Sequence, residues 1–88
     1  MPGQPQLREA LWLYLGDNIP YALVRVGERM DGSGMWDVLV NHPAGNPTEQ
    51  VERPDEQSAR AEAARRRDEI AALYRDQHGV VGEWRTSY

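Results

Sequence analysis

The run Arg65-Arg66-Arg67 is the part of this sequence closest to a phosphate-binding motif, since each guanidinium offers a fork of donors to an anionic oxygen. Successive helical residues step about 100° round the axis, however, so three in a row point in three directions. Glu62, Asp68 and Glu69 stand among them and partly neutralise the run. A nucleic-acid backbone needs several cations on one side. Arg60, Arg67, Arg75 and Arg85 are the set that can supply one, with Trp84 available for base stacking. Other chemistry is sparse. His42 and His78 are the only histidines, and neither falls in a metal-ligand spacing such as HExxH. His78 suits the negative end of a helix dipole, while His42, before Pro43, falls in a loop. Asp37 and Glu83 are carboxylates that two strands can bring together, but no cleft-forming sequence accompanies them. Gly32-Ser33-Gly34 lacks the lysine and following helix of a phosphate loop and reads as a turn. No catalytic constellation, cofactor motif or metal site emerges, so a non-catalytic protein is expected.

Composition narrows the class further. Eighty-eight residues form one domain with one modest core. Hydrophobic residues make up 40% of the chain and aromatic ones only 8%, with no Phe, so Trp12, Trp36 and Trp84 carry much of the aromatic burial. The absence of cysteine rules out a disulfide framework and a cysteine-based zinc site. A formal net charge of -4 argues against nucleic acid or anionic membrane held by bulk charge, leaving room for a local basic patch. All ten basic residues are arginine, a bias read first as codon usage in a GC-rich genome and only second as selection for bidentate hydrogen bonding. Met1 to Gln6 lacks the positive start of a signal peptide, and the apolar run Leu11 to Leu15 is too short for a membrane span. The expectation is a cytoplasmic chain with a flexible arm over residues 1–6 and a single α+β domain over 7–88.

The elements that must position these residues follow from periodicity. Leu7 to Leu15 is ambiguous; alternation of Leu11, Leu13 and Leu15 with Trp12 and Tyr14 favours a strand over a helix stopped at Gly16. Tyr21 to Arg29 and Met35 to Val40 alternate cleanly across the turn Asp31-Gly32-Ser33-Gly34, which predicts a β-hairpin. A Pro/Gly/Asn loop runs from Asn41 to Pro47, and a short edge strand round Val51 fits the approach to the helix. That helix spans Pro54 to Gly79, with Pro54 in its first turn, Asp55 and Glu56 at its positive end and Gly79 closing it. Ala59, Ala63, Ile70, Leu73 and Tyr74 share a face, with Arg66 among them. Glu56–Arg60, Glu62–Arg66 and Arg65–Glu69 are spaced to pair. Val80 to Thr86 predicts a last strand. The fold class is α+β in the order β-β-β-α-β, a small, mainly antiparallel sheet with one long helix on one face.

A sheet with one helix has an outer face. If Leu11, Leu13, Leu15, Val24, Val26, Trp36 and Val38 face the helix, then Trp12, Tyr14, Tyr21, Leu23, Met35 and Leu39 face away, and a chain this short has no second layer for them. Contiguous apolar surface of this kind marks an interface, and Trp, Tyr and Met are enriched there. The expected protein interface is therefore Trp12, Tyr14, Leu23, Met35 and Leu39. The first functional expectation is a protein-interaction module, either a homodimer or an inhibitor or adaptor of a larger partner. The alternative is a nucleic-acid-binding accessory or regulatory protein using the Arg-rich helix. The motifs match no named family. Size, acidity and architecture are shared with phage and mobile-element inhibitors, anti-CRISPR proteins among them, and with small bacterial regulators, an analogy that transfers no residue.

Overall fold

Four strands, one helix and a fifth strand follow one another along the chain: β1 (Pro5–Tyr14), β2 (Pro20–Arg29), β3 (Trp36–Asn41), β4 (Glu49–Arg53), α1 (Glu56–His78) and β5 (Glu83–Thr86). The computed structural model describes residues 5–16, 18–43 and 49–86. All five strands join one antiparallel sheet in the order β4-β3-β2-β1-β5, so β2 is central and β4 and β5 are the edges. The segment round Val51 is a full edge strand, one more before the helix than the order β-β-β-α-β contains. Leu7 to Tyr14 is extended, with Leu15 in the bend that follows, and the strand begins earlier than expected. Pro5 and Gln6 of the anticipated flexible arm pair with Arg29 and Glu28, because β2 is long enough to offer them partners. Residues 1–4 and the tail residues Ser87 and Tyr88 lie outside the described residues.

Antiparallel partners share a face, so the register sorts the side chains. Leu13, Ala22, Val24, Val26, Trp36, Val38 and Val40 all turn towards α1 and are buried. Two bulges break the simple alternation. The first, between Leu7 and Glu9, pairs Leu7 with Gly27 on the outer side, while Glu9 keeps the helix side with Leu11 and Leu13 by plain alternation. The second, opposite Leu13 and Tyr14, leaves Tyr21 as the extra residue. Tyr21 accordingly does not face away from the helix. Its ring lies 6.0 Å from that of Tyr74 and 5.7 Å from that of His78, against the core.

Capping defines the helix. Asp55, extended in backbone, accepts a hydrogen bond from Ser58 N at 2.8 Å, and Gly79 closes the other end at φ 71°. Pro54 therefore precedes the cap instead of entering the first turn: the Asp55 carboxylate satisfies the free amide, and the helix starts after it. Ala59 and Ala63 are fully buried and allow close approach to the sheet, while Ile70 and Tyr74 fill the gap beyond them. The helix lies over β2 and β3 and reaches β4. Leu73 departs from expectation, being 43% exposed. Neighbouring helical residues are about 100° apart, so turning Tyr74 onto Tyr21 leaves Leu73 on the flank.

The chain then returns under tight constraint. A Cβ built on Gly82 would overlap Leu13 Cδ1 and lie 3.0 Å from Leu15 Cδ2, so the backbone of this connection rests directly on core side chains. Leu13 is fully buried and cannot swing aside. Gly82→Ala is expected to destabilise the fold by about 2 kcal/mol through overpacking, read as a lowered urea midpoint; an unchanged midpoint would show that the two leucines repack freely.

Candidate interaction surface

The face of the sheet turned away from α1 carries four of the expected interface residues by register. Trp12 is opposite Leu23, Arg25 is opposite Leu39, and Tyr14 is opposite Glu83 on β5. The fifth, Met35, sits at the hairpin mouth and accepts a backbone hydrogen bond from Arg29 at 3.0 Å. Trp12, Tyr14, Met35 and Leu39 are half-buried, and Leu23 is buried between strands. Among the described residues no second layer covers this face. The apolar patch is thus partly self-packed, with Trp12 spreading next to Leu23 and Arg85. Arg85 stacks over the Tyr14 ring at 4.4 Å, a cation–π contact that holds both side chains on the surface.

Beside the patch lies a polar network that alternation alone does not reveal. Asp37 is 1% exposed and takes a bidentate pair from Arg29, Nε to Oδ2 and Nη2 to Oδ1, both at 2.9 Å. Gln50 Nε2 donates to Asp37 Oδ1 at 3.1 Å, and Arg29 also reaches Glu52 at 2.8 Å. Burial opposes the Asp37 charge, but the Arg29 and Gln50 donors outweigh it and hold the carboxyl below its ordinary range. Asp37 and Glu83 are not brought together. Three strand spacings separate β3 from β5, roughly 14 Å, too far for two carboxylates to act on one bond.

The helix arginines are occupied. Glu9, on the helix side of β1 with Leu11 and Leu13, accepts from Arg60 at 3.1 Å and from Arg67 at 2.8 Å. Arg60 also pairs with Glu56, and Arg65 with both Glu62 and Glu69. Glu62 is held by Arg53 and Arg65, not by Arg66, because Arg66 reaches across to Glu49 on β4 as well as to Glu69. This answers why an arginine occupies the apolar side of the helix: its head meets an edge-strand carboxylate. Arg75 lies 3.8 Å from Asp76, and Arg85 stands on the far side of the sheet. The four arginines expected to line one nucleic-acid face are therefore not gathered on one.

The histidines remain separate. His78 stacks on Tyr74 at the helix end with ring centroids 5.8 Å apart, and His42 is half-buried after β3. Among the described residues no three His, Cys, Asp or Glu side chains gather as metal ligands. A shallow groove of about 230 Å³ runs between α1 and the return to β5, lined by Asp68, Ala71, Ala72, Arg75, Val81 and Gly82. It is smaller than the roughly 300–1,000 Å³ of most small-molecule sites. No helix among the described residues is long and apolar enough to cross a membrane. Comparison with protein families, curated proteins and solved structures finds nothing that matches this chain.

Proposed function

We propose that this chain is a non-catalytic protein-interaction module, an inhibitor or adaptor that docks a larger protein on the outer face of its sheet. One observation carries the reading: among the described residues the five-stranded sheet has a helix on one face only, while the other presents the half-buried Trp12, Tyr14 and Leu39 round the buried Leu23. Trp and Tyr with an arginine neighbour are the side chains that dominate binding energy at interfaces. The nucleic-acid alternative draws less support, since Arg60 and Arg67 are already neutralised by Glu9. A cytoplasmic setting in a bacterial or phage-infected cell is part of this proposal.

The test combines Trp12→Ala with Leu39→Ala. Loss of an aromatic anchor of this kind is expected to weaken association roughly 30-fold or more, with the thermal midpoint and circular dichroism close to wild type. Light scattering on the eluting protein reports self-association, and co-purification from the native host reports a hetero-partner. Leu39→Gln serves as a milder second variant. Normal association by both variants would move the interface elsewhere. A gel shift at low salt that disappears with added salt would favour the nucleic-acid reading instead.

A further inference from the structure

Arg25 stands at the middle of this surface, and among the described residues no carboxylate lies within 4.0 Å of it. Each of the other nine arginines lies within 4.0 Å of a carboxylate among the described residues. Arg25 has only a neutral partner, donating from Nη2 to Asn41 Oδ1 at 3.0 Å. Its Nε is buried with no acceptor among the described residues. A guanidinium carries five N–H donors, so most of its hydrogen-bonding capacity is unspent. This is the more telling in a chain with 14 acidic residues against 10 basic ones, where carboxylates are in excess. Register places Arg25 between Ala10 and Leu39, on the same face as Trp12 and Leu23. Ala10 and Leu39, its direct cross-strand neighbours, are apolar, and a charge pair flanked by apolar side chains is screened less by water.

We infer that the outer face binds a protein segment presenting an aspartate or glutamate carboxylate to Arg25, with apolar side chains on either side lying against Trp12 and Leu39. This rests on the outer-face reading above and names the chemistry of its partner. A second copy of the chain fits worse. Arg25 is on the central strand, so a two-fold axis through the middle of the face would set one unpaired arginine against another. A nucleic-acid strand also fits worse, because phosphate binding draws on several free cations and the neighbouring Arg29 and Arg85 are already paired. A single carboxylate matches a single free guanidinium, and forked pairing gives it direction as well as charge.

The experiment selects random twelve-residue displayed peptides against the full chain, then measures synthetic versions by fluorescence anisotropy. The expected peptides share an Asp or Glu beside aromatic or aliphatic residues. Changing that acid to its amide should weaken binding to wild type at least tenfold. Arg25→Gln should lose the same tenfold and no longer distinguish acid from amide, while Arg25→Lys recovers part of the preference. Thermal melts confirm that each variant is folded, and Arg25→Lys keeps the test meaningful if Arg25→Gln is not. If selected peptides bind Arg25→Gln as well as wild type yet are lost on Trp12→Ala, the carboxylate inference fails and the outer-face reading stands. If neither substitution matters, or no peptide is enriched, both fail. Binding of a labelled single-stranded oligonucleotide that Arg25→Gln abolishes would overturn the inference in favour of nucleic acid. A dimer in light scattering that Trp12→Ala dissociates would overturn it in favour of a second copy.

Discussion

Ile70→Ala is expected to lower stability by about 3 kcal/mol, whereas Leu73→Ala should cost less than about 1 kcal/mol. The two residues are three positions apart on the same helix, and a helical wheel puts both on its apolar side. Their surroundings differ. Ile70 is 2% exposed within the core formed by Leu13, Val24, Val26, Val38 and Val40, so truncation opens a cavity that the flanking alanines cannot fill. Leu73 is 43% exposed and has less burial to lose. Urea unfolding of both variants measures the contrast. Equal losses would mean that the helix is rotated about its axis relative to the arrangement described above.

Asp37→Asn should destabilise the protein by about 2 kcal/mol at pH 7, because a buried charged pair loses its acceptor and an amide N–H2 is turned towards the Arg29 donors. The figure sits below that of a fully enclosed pair, since Arg29 is 22% exposed and keeps Glu52 as a second partner. The effect has a defined pH dependence. The folded-state pKa of Asp37 lies below the ordinary aspartate value: burial and the Asp31 charge push it up, and the donors from Arg29 and Gln50 push it further down. The stabilisation is then complete above the unfolded value, about pH 4, and is lost as pH falls through the lower folded value. The gap between wild type and Asp37→Asn should therefore close from about pH 4 downwards. Asp31, Asp55 and Glu62 are also held below their ordinary ranges, chiefly by Ser33, Ser58 and Arg65. They titrate in both proteins, so the difference isolates Asp37. Denaturation at pH 7 and at pH 3 is the measurement, and a gap independent of pH would rule out the electrostatic explanation.

Much of the architecture was legible in local patterns. Alternation in Tyr21 to Arg29 and Met35 to Val40, with a glycine-rich turn between, is sufficient to define the hairpin. Asp55 and Gly79 bound the helix whatever it packs against, since a cap answers to the orphan amides and carbonyls of the helix itself. Leu7 to Leu15 was harder, because a short apolar run satisfies both periods until a neighbouring strand offers hydrogen bonds. The strand Glu49–Arg53 carries almost no apolar signal and exists because β3 has an open edge.

The candidate surface divides in the same way. Trp12, Tyr14, Leu23, Met35 and Leu39 could be assigned to one side of the sheet from a period of two. Tyr21 could not, since a bulge depends on how two strands meet and leaves no mark in either alone. Glu9 carries no motif, yet its place on the helix side of β1 makes it the partner of two helix arginines. Arg25 looked like any polar residue of an alternating strand. What sets it apart is that no carboxylate among the described residues lies within 4.0 Å of it, which depends on where the other strands and the helix place their acids. By itself the sequence determined the number of faces, the ends of the helix and the chemistry available, because those depend on neighbours along the chain. Only the tertiary structure decided which arginines are neutralised and which one has no carboxylate partner among the described residues, because charge pairing acts over a few ångströms in space between residues up to 58 positions apart.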